Sequence, residues 1–121
     1  MARILVIDDD VQIIEMLRQT LEREGYEVIG SLDGKEGIRF YREAPTDLII
    51  TDIVMPEKEG IETIMELKRD FPDVKIIAIS GGGRIGPEDY LQLAKKLGAM
   101  HTFTKPIDRK ELLGVVRELL K

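Results

Sequence analysis

The apolar residues of this chain fall into two kinds of segment that alternate from one end to the other. Short runs rich in Ile, Val and Leu are typical of strands buried on both faces. They predict five strands, at residues 4–7, 26–30, 48–51, 74–79 and 100–104. The segments that follow each run space their apolar residues three or four positions apart, as one face of a helix does. The pattern therefore predicts a strand–helix unit repeated five times.

The ends of the predicted helices carry residues that favour helix starts and stops. The last helix has one apolar stripe, formed by Leu112, Leu113, Val116, Leu119 and Leu120. Asp108 and Glu111 precede that stripe with the spacing of a capping box. Gly25 and Gly98 stand where the first and fourth helices should end. A second helix is expected at residues 34–43, although its two glycines lower the helical propensity.

Strands that alternate with helices run parallel, with right-handed crossovers and with helices on both faces of the sheet. The sequence thus predicts an α/β, doubly wound fold with a five-stranded parallel sheet. In such folds the functional side chains collect at the carboxyl ends of the strands, near the point where the strand order reverses. The residues that follow each predicted strand are therefore the candidates for chemistry.

Acidic residues follow two of these strands. Asp8 and Asp9 follow the first strand, and Asp52 follows the third. If those strands are neighbours, three carboxylates converge, repel one another and raise one another's pKa. Mg²⁺ accepts such oxygen ligands and bridges them to phosphate, so a magnesium site is the functional interpretation. The alternative is a solvated rim of helix caps, which is the preferred interpretation for Asp10, directly before Val11.

Ser80 ends the fourth strand and Lys105 follows the fifth, on the same edge of the sheet as the acids. A lysine there can neutralise a carboxylate or hold phosphate oxygens, and a hydroxyl can donate to a phosphate oxygen. Each residue alone would indicate only an ordinary surface position. A cis peptide bond between Lys105 and Pro106 would turn the chain sharply and aim the lysine inward.

Composition narrows the classes of function. The chain has 121 residues, 43% of them hydrophobic, which suits one domain with a real core. Acidic residues outnumber basic ones by 23 to 18, and the net charge of −5 argues against direct nucleic-acid binding. Because the sequence contains no cysteine, disulfides and thiolate metal sites are excluded. Because His101 is its sole histidine, a zinc site built on several histidines is excluded as well. Met16, Met65 and Met100 are expected to fill the core.

The first apolar run is too short for a signal peptide or a membrane span, so a cytoplasmic domain is expected.

The chain as a whole resembles the receiver domain of bacterial two-component response regulators. The match is carried, in order, by residues 4–9 (ILVIDD), 52–56 (DIVMP) with Gly60, 80–81 (SG), 98–99 (GA) and 105–106 (KP). The resemblance implies a flavodoxin-like fold with strand order 2-1-3-4-5, a single receiver domain over residues 1–121, and no output domain in the chain.

The resemblance also implies roles for the residues at the strand ends. Asp52 would accept a phosphoryl group from a sensor histidine kinase or a phosphotransfer protein. The Mg²⁺ ligands would be Asp8, Asp9, Asp52 and the backbone carbonyl of Val54. Lys105 would pair with the phosphoryl group, and Ser80 would be the switch hydroxyl that follows it. Such a domain catalyses only its own phosphorylation and dephosphorylation; its output partner, and dimerisation on phosphorylation, stay open.

Two features depart from the family pattern. Thr102 stands where the family usually carries an aromatic switch residue, and alternation along the strand points Phe103 to the opposite face. The loop at residues 81–87 contains four glycines and is longer than is common, which predicts a mobile loop. Its G-x-G-x-x-G spacing follows the fourth strand, whereas a dinucleotide site would follow the first.

Two other classes of function remain as alternatives. Asp8-Asp9-Asp10 resembles the D-x-D start of haloacid dehalogenase-like phosphohydrolases, which use an aspartyl phosphate and Mg²⁺. Gln12 stands where that family expects Thr or Val, however, and the chain has neither a second acidic cluster after Lys105 nor room for a cap domain. A flavodoxin-like FMN binder is disfavoured because Asp8-Asp9-Asp10 follows the first strand, where its phosphate would dock on a hydroxyl-rich loop.

Overall fold

The computed structural model describes residues 2–53, 59–81 and 87–121. Strands and helices alternate along them, as the hydrophobic pattern predicts. The elements are β1 (Arg3–Ile7), α1 (Val11–Glu22), β2 (Glu27–Ser31), α2 (Gly34–Glu43), β3 (Leu48–Asp52), α3 (Glu59–Asp70), β4 (Ile76–Ser80), α4 (Pro87–Lys96), β5 (His101–Thr104) and α5 (Arg109–Leu119). In this part of the chain, no helix combines the length and the apolarity that crossing a membrane requires.

All five strands pair in parallel in one sheet, in the order β2-β1-β3-β4-β5. The order implied by the resemblance is thus confirmed. Consecutive strands β1 and β2 lie side by side, but β3 pairs with the other edge of β1, so the strand order reverses there. The register sets Asp52 beside Ile79 and Ser80 beside Thr104. The carboxyl ends of β1, β3, β4 and β5 therefore meet at one edge, beside the reversal point.

The core forms two layers because alternate strand residues point to opposite faces of the sheet. Leu5 and Ile49 lie under α2, α3 and α4, whereas Ile4 and Ile50 lie under α1 and α5. Every residue of β3 and of β4 is buried, which explains why these strands read as continuous apolar runs. Phe103 belongs to the layer under α1 and α5, as alternation along β5 predicts.

The predicted helix ends are confirmed at four places. The carboxylate of Asp10 accepts a backbone N–H of α1 at 2.9 Å, which makes it the N-cap. The carboxylate of Asp108 caps α5 by accepting two backbone N–H groups at 3.0 and 3.1 Å. Gly25 and Gly98 follow α1 and α4 with φ of 90° and 115°, a conformation that favours glycine.

The prediction that the methionines fill the core is wrong for two of them. Met65 is 52% exposed and Met100 is 49% exposed, whereas Met16 packs against the layer under α1 and α5. Ile61 and Ile64 form the inward stripe of α3, and Met65 lies outside it. Met100 lies just before β5, at the amino-terminal end of the strands. Neither of these two methionine side chains therefore belongs to the buried core.

Candidate functional site

Three carboxylates meet at the carboxyl edge of the sheet. Asp8 directly follows β1, and its backbone N–H still donates to the carbonyl of Ser31 at 3.0 Å, so the strand geometry holds it in place. Asp52 is the last residue of the neighbouring strand β3. One carboxylate oxygen from each of Asp8, Asp9 and Asp52 lies within 4.8 Å of the other two. The predicted convergence of these acids is confirmed.

The three acids differ in their exposure to solvent. Asp8 is 1% exposed and Asp52 is 3% exposed, whereas the side chain of Asp9 is open to solvent. The Oδ1 atom of Asp8 accepts the backbone N–H of Asp10 at 2.8 Å. The cluster therefore has a buried floor formed by two carboxylates and an open side formed by the third.

Lys105 reaches this cluster from the end of β5. Its Nζ lies 3.1 Å from Oδ2 of Asp8 and 3.2 Å from Oδ2 of Asp52. Its backbone N–H donates to the carbonyl of Ser80 at 2.8 Å. The peptide bond between Lys105 and Pro106 is cis, as proposed from the sequence. A single ammonium group thus contacts the two buried carboxylates.

The charges in the cluster shift two pKa values. The pKa of Asp8 rises from 3.8 to about 6 in all: burial is the main cause, the backbone N–H of Asp10 and the ammonium of Lys105 oppose the rise, and the charge of Asp52 adds to it. Burial acts to lower the pKa of Lys105, but the charges of Asp52 and Asp8 outweigh it, so the net shift is upward. The three acids bring more negative charge to this cluster than the lysine compensates, and a bound cation would relieve the excess.

Ser80 is fully buried at the end of β4, the strand between those of Asp52 and Lys105. Its Oγ has no hydrogen-bond partner among the described residues. A buried hydroxyl without a partner is unfavourable by about 1–3 kcal/mol. The hydroxyl is therefore available to a group that enters the site. Thr102 is half-buried and pairs with Ala78 further back along the same strands.

Two of the sequence predictions fall on residues about which the structure gives no description. Val54, whose carbonyl was expected to be a Mg²⁺ ligand, and residues 82–86 of the glycine-rich loop lie outside the described residues. The nearby Gly60 is described, and a Cβ there would lie 2.3 Å from Cα of Ile53 and 2.4 Å from the carbonyl oxygen of Asp52. Glycine thus lets the first turn of α3 lie directly on the backbone that carries Asp52.

One close contact at the site was not predicted. The side chain of Lys105 passes directly over Gly81, the residue that follows β4. A glycine immediately after a strand signals a close approach of another group, but the sequence does not say which group approaches.

We expect the metal-free protein to lose stability as the pH rises from about 4 to about 6, through Asp8. Its pKa is higher in the folded chain, about 6, than the ordinary value of 3.8. Between these values the folded state binds more protons, so this group's contribution to the free energy of unfolding falls with rising pH. The full effect is at most about 3 kcal/mol, at about 1.4 kcal/mol for each pKa unit.

Urea unfolding of wild type and Asp8→Asn in a chelating buffer measures this contribution. Asp8→Asn should be the more stable protein near pH 7, and the difference should shrink toward pH 4. Asp73→Asn, an exposed acid before β4 at the opposite end of the strands, is the matched control and should follow the wild type. An equal difference between Asp8→Asn and wild type at both pH values would contradict the assignment.

Known proteins match this chain along most of its length. A sequence model described as the response regulator receiver domain matches residues 4–117. The chemotaxis protein CheY of Treponema pallidum is 34% identical over 122 residues, which cover 98% of this chain and 83% of that protein. The chemotaxis protein CheY of Thermotoga maritima is 32% identical over 120 residues, 98% of each chain.

Longer regulators and solved structures give the same match. The DNA-binding transcriptional regulator NtrC of Azospirillum brasilense is 38% identical over 119 residues, but the chain spans only 24% of its length. The crystal structure of a response regulator receiver domain protein from Clostridium thermocellum superposes with a TM-score of 0.90 at 32% identity, over 99% of this chain and 94% of that one. The haloacid dehalogenase and flavodoxin alternatives find no support in these matches. The strand order, the acidic edge of the sheet and these matches agree, and the chain belongs to the response regulator receiver domain family of two-component systems.

Proposed function

We propose that this receiver domain accepts a phosphoryl group on Asp52, in a Mg²⁺-dependent reaction, from a sensor histidine kinase or a phosphotransfer protein. The observation that carries the proposal is the cluster of three carboxylates within 4.8 Å, two of which contact the ammonium of Lys105. The phosphorylated domain would then change conformation and control an output partner, with dimerisation as one way of doing so.

The donor set fits a hard divalent cation. Mg²⁺ prefers oxygen ligands, uses one or two carboxylates and keeps several waters. Asp8, Asp9 and Asp52 would hold the ion, together with the backbone carbonyl of Val54 on the family pattern. When bound, Mg²⁺ offsets the negative charge of the carboxylates and of an incoming phosphoryl group.

Asp52 is the best-placed nucleophile of the three acids. It ends the central strand of the sheet, between the strands that bring Asp8 and Ser80, and its carboxylate touches Lys105. One carboxylate oxygen of Asp8 already accepts the backbone N–H of Asp10. In the reaction a carboxylate oxygen of Asp52 forms a bond to phosphorus while the donor's bond to phosphorus breaks and the donor keeps the electron pair. Positioning and charge stabilisation supply most of the rate in such a transfer.

Lys105 and Ser80 would recognise the product. The phosphoryl group adds negative charge and three acceptor oxygens. The Lys105 ammonium lies beside Asp52 and can donate to one of those oxygens. The Ser80 hydroxyl can donate to another without breaking an existing hydrogen bond to any described residue. Movement of Ser80 toward the phosphate would shift the loop that leads into α4. The added charge at Asp52 would thereby favour one of two conformations of that loop. With Thr102 at the usual aromatic position, that loop or the Thr102 hydroxyl would carry the signal.

The wild-type protein incubated with acetyl phosphate and Mg²⁺ tests the proposal. We expect at most one phosphoryl group per chain, which hydroxylamine removes because it is an acyl phosphate, and no labelling in excess chelator. The same protein should give no sustained hydrolysis of a generic phosphate ester. Multiple turnovers of such an ester would favour a phosphohydrolase instead, and absence of any label would overturn the proposal.

A further inference from the structure

Gly81 and Lys105 are closer than any side chain at position 81 would allow. A Cβ at Gly81 would lie 2.5 Å from Cδ of Lys105, 3.3 Å from its Cγ and 3.4 Å from its Cβ. Carbon atoms that are not bonded pack at about 3.5–4.0 Å. The Cδ of the lysine thus occupies the space that a Cβ at position 81 would fill, and its Cγ and Cβ line that space.

The lysine side chain is fixed at both of its ends, so its middle has little room to yield. At one end, the backbone N–H of Lys105 donates to the carbonyl of Ser80 at 2.8 Å, which ties the lysine backbone to the residue next to Gly81. At the other end, Nζ lies 3.1 Å from Asp8 and 3.2 Å from Asp52. A displacement of about 1 Å in the middle of the chain would therefore move the ammonium away from one or both carboxylates.

We propose that Gly81 is a positioning residue for Lys105: its missing side chain leaves the space through which the lysine passes over the end of β4 to reach Asp8 and Asp52. The requirement is steric, because the backbone of Gly81 does not adopt a left-handed φ and is therefore one that alanine can adopt. The consequence for phosphorylation rests on the function proposed above, whereas the placement of the ammonium does not.

A double-mutant cycle on the rate of labelling by acetyl phosphate, at saturating Mg²⁺, tests the route of action. The variants are Gly81→Ala, Lys105→Ala and the two combined. Gly81→Ala should slow labelling by about tenfold to a hundredfold, the range that a misplacement of about 1 Å produces. In the Lys105→Ala background the same substitution should have no further effect, because the lysine it displaces is gone.

Gly114→Ala is the matched control, since a Cβ at this exposed position of α5 meets nothing within 4 Å. It should leave the labelling rate unchanged in each background, wild type and Lys105→Ala. If Gly81→Ala slowed labelling by the same factor in the Lys105→Ala background as in the wild type, Gly81 would act on the backbone of the site and not through the lysine. If Gly81→Ala labelled at the wild-type rate, Gly81 would have no role in labelling. Either result overturns the proposal.

NMR of the lysine side chains in the metal-free protein gives a second readout that needs no phosphorylation. The Hε and Nζ resonances of Lys105 should be set apart from those of the exposed lysines in wild type and in Gly114→Ala. In Gly81→Ala they should move toward the values of exposed lysines, while amide spectra report that the fold is kept. Unmoved Lys105 resonances would refute the positioning role even in a protein that labels, and failure of the wild type to label would count against the proposed function alone.

Discussion

Asp52→Asn should abolish labelling by acetyl phosphate in the presence of Mg²⁺. The amide has nearly the same shape as the carboxylate but lacks the charged oxygen that would attack phosphorus. The substitution also removes one negative charge from a cluster of three acids, two of which contact Lys105. The fold should therefore persist, and the loss of label should reflect the loss of the acceptor. Mass spectrometry of the intact protein measures the added phosphoryl group directly.

The control for this variant is Asp73→Asn, which removes an exposed carboxylate at the amino-terminal end of the strands. It should label like the wild type. Circular dichroism and urea unfolding of both variants verify that each is folded under the labelling conditions. Undiminished labelling of a folded Asp52→Asn protein would move the acceptor to another residue.

Asp9→Ala should weaken Mg²⁺ binding by at least about tenfold. Even outer-shell partners of metal ligands change metal affinity by that amount, and Asp9 is proposed as a direct ligand. Its side chain is exposed, in contrast to the buried Asp8 and Asp52, so its removal should leave the sheet and its core intact. Titration calorimetry with MgCl₂ measures the affinity.

Stability gives an independent measure of the same binding. A ligand that binds only the folded state raises the free energy of unfolding, and the rise grows with ligand concentration relative to its dissociation constant. Millimolar Mg²⁺ should thus stabilise the wild type and Asp73→Ala alike, and Asp9→Ala much less. An Mg²⁺ affinity in Asp9→Ala equal to that of the wild type would remove Asp9 from the ligand set.

Most of the fold follows from the pattern of apolar residues because the central strands are buried on both faces. The pattern is less exact where apolar residues are buried for another reason. Val74 was predicted to begin the fourth strand, yet its N–H bonds to the carbonyl of Phe71 in the turn after α3, and β4 begins at Ile76. Val74 is nevertheless buried in the core layer under α2, α3 and α4. In the sequence, an apolar residue that is buried outside the sheet cannot be distinguished from one that is buried in a strand.

The site was predictable as a set of residues but not as a set of contacts. Parallel strands bring their carboxyl ends together, so Asp8, Asp52 and Lys105 could be placed at one edge. The pKa of Asp8 depends on how deeply this residue is buried, and sequence does not give that depth. The passage of Lys105 over Gly81 depends on the paths of two loops. Such contacts need coordinates because they join residues far apart in the chain.

Borohydride reduction of the labelled protein tests the central claim most directly. Borohydride reduces an acyl phosphate on aspartate to the alcohol, so the acceptor becomes homoserine and peptide mass spectrometry locates it. Wild-type protein labelled with acetyl phosphate and Mg²⁺ should yield homoserine at position 52 and aspartate at positions 8 and 9. Homoserine at position 8 or 9, or an unreduced Asp52 in a protein that carries the label, would contradict the account.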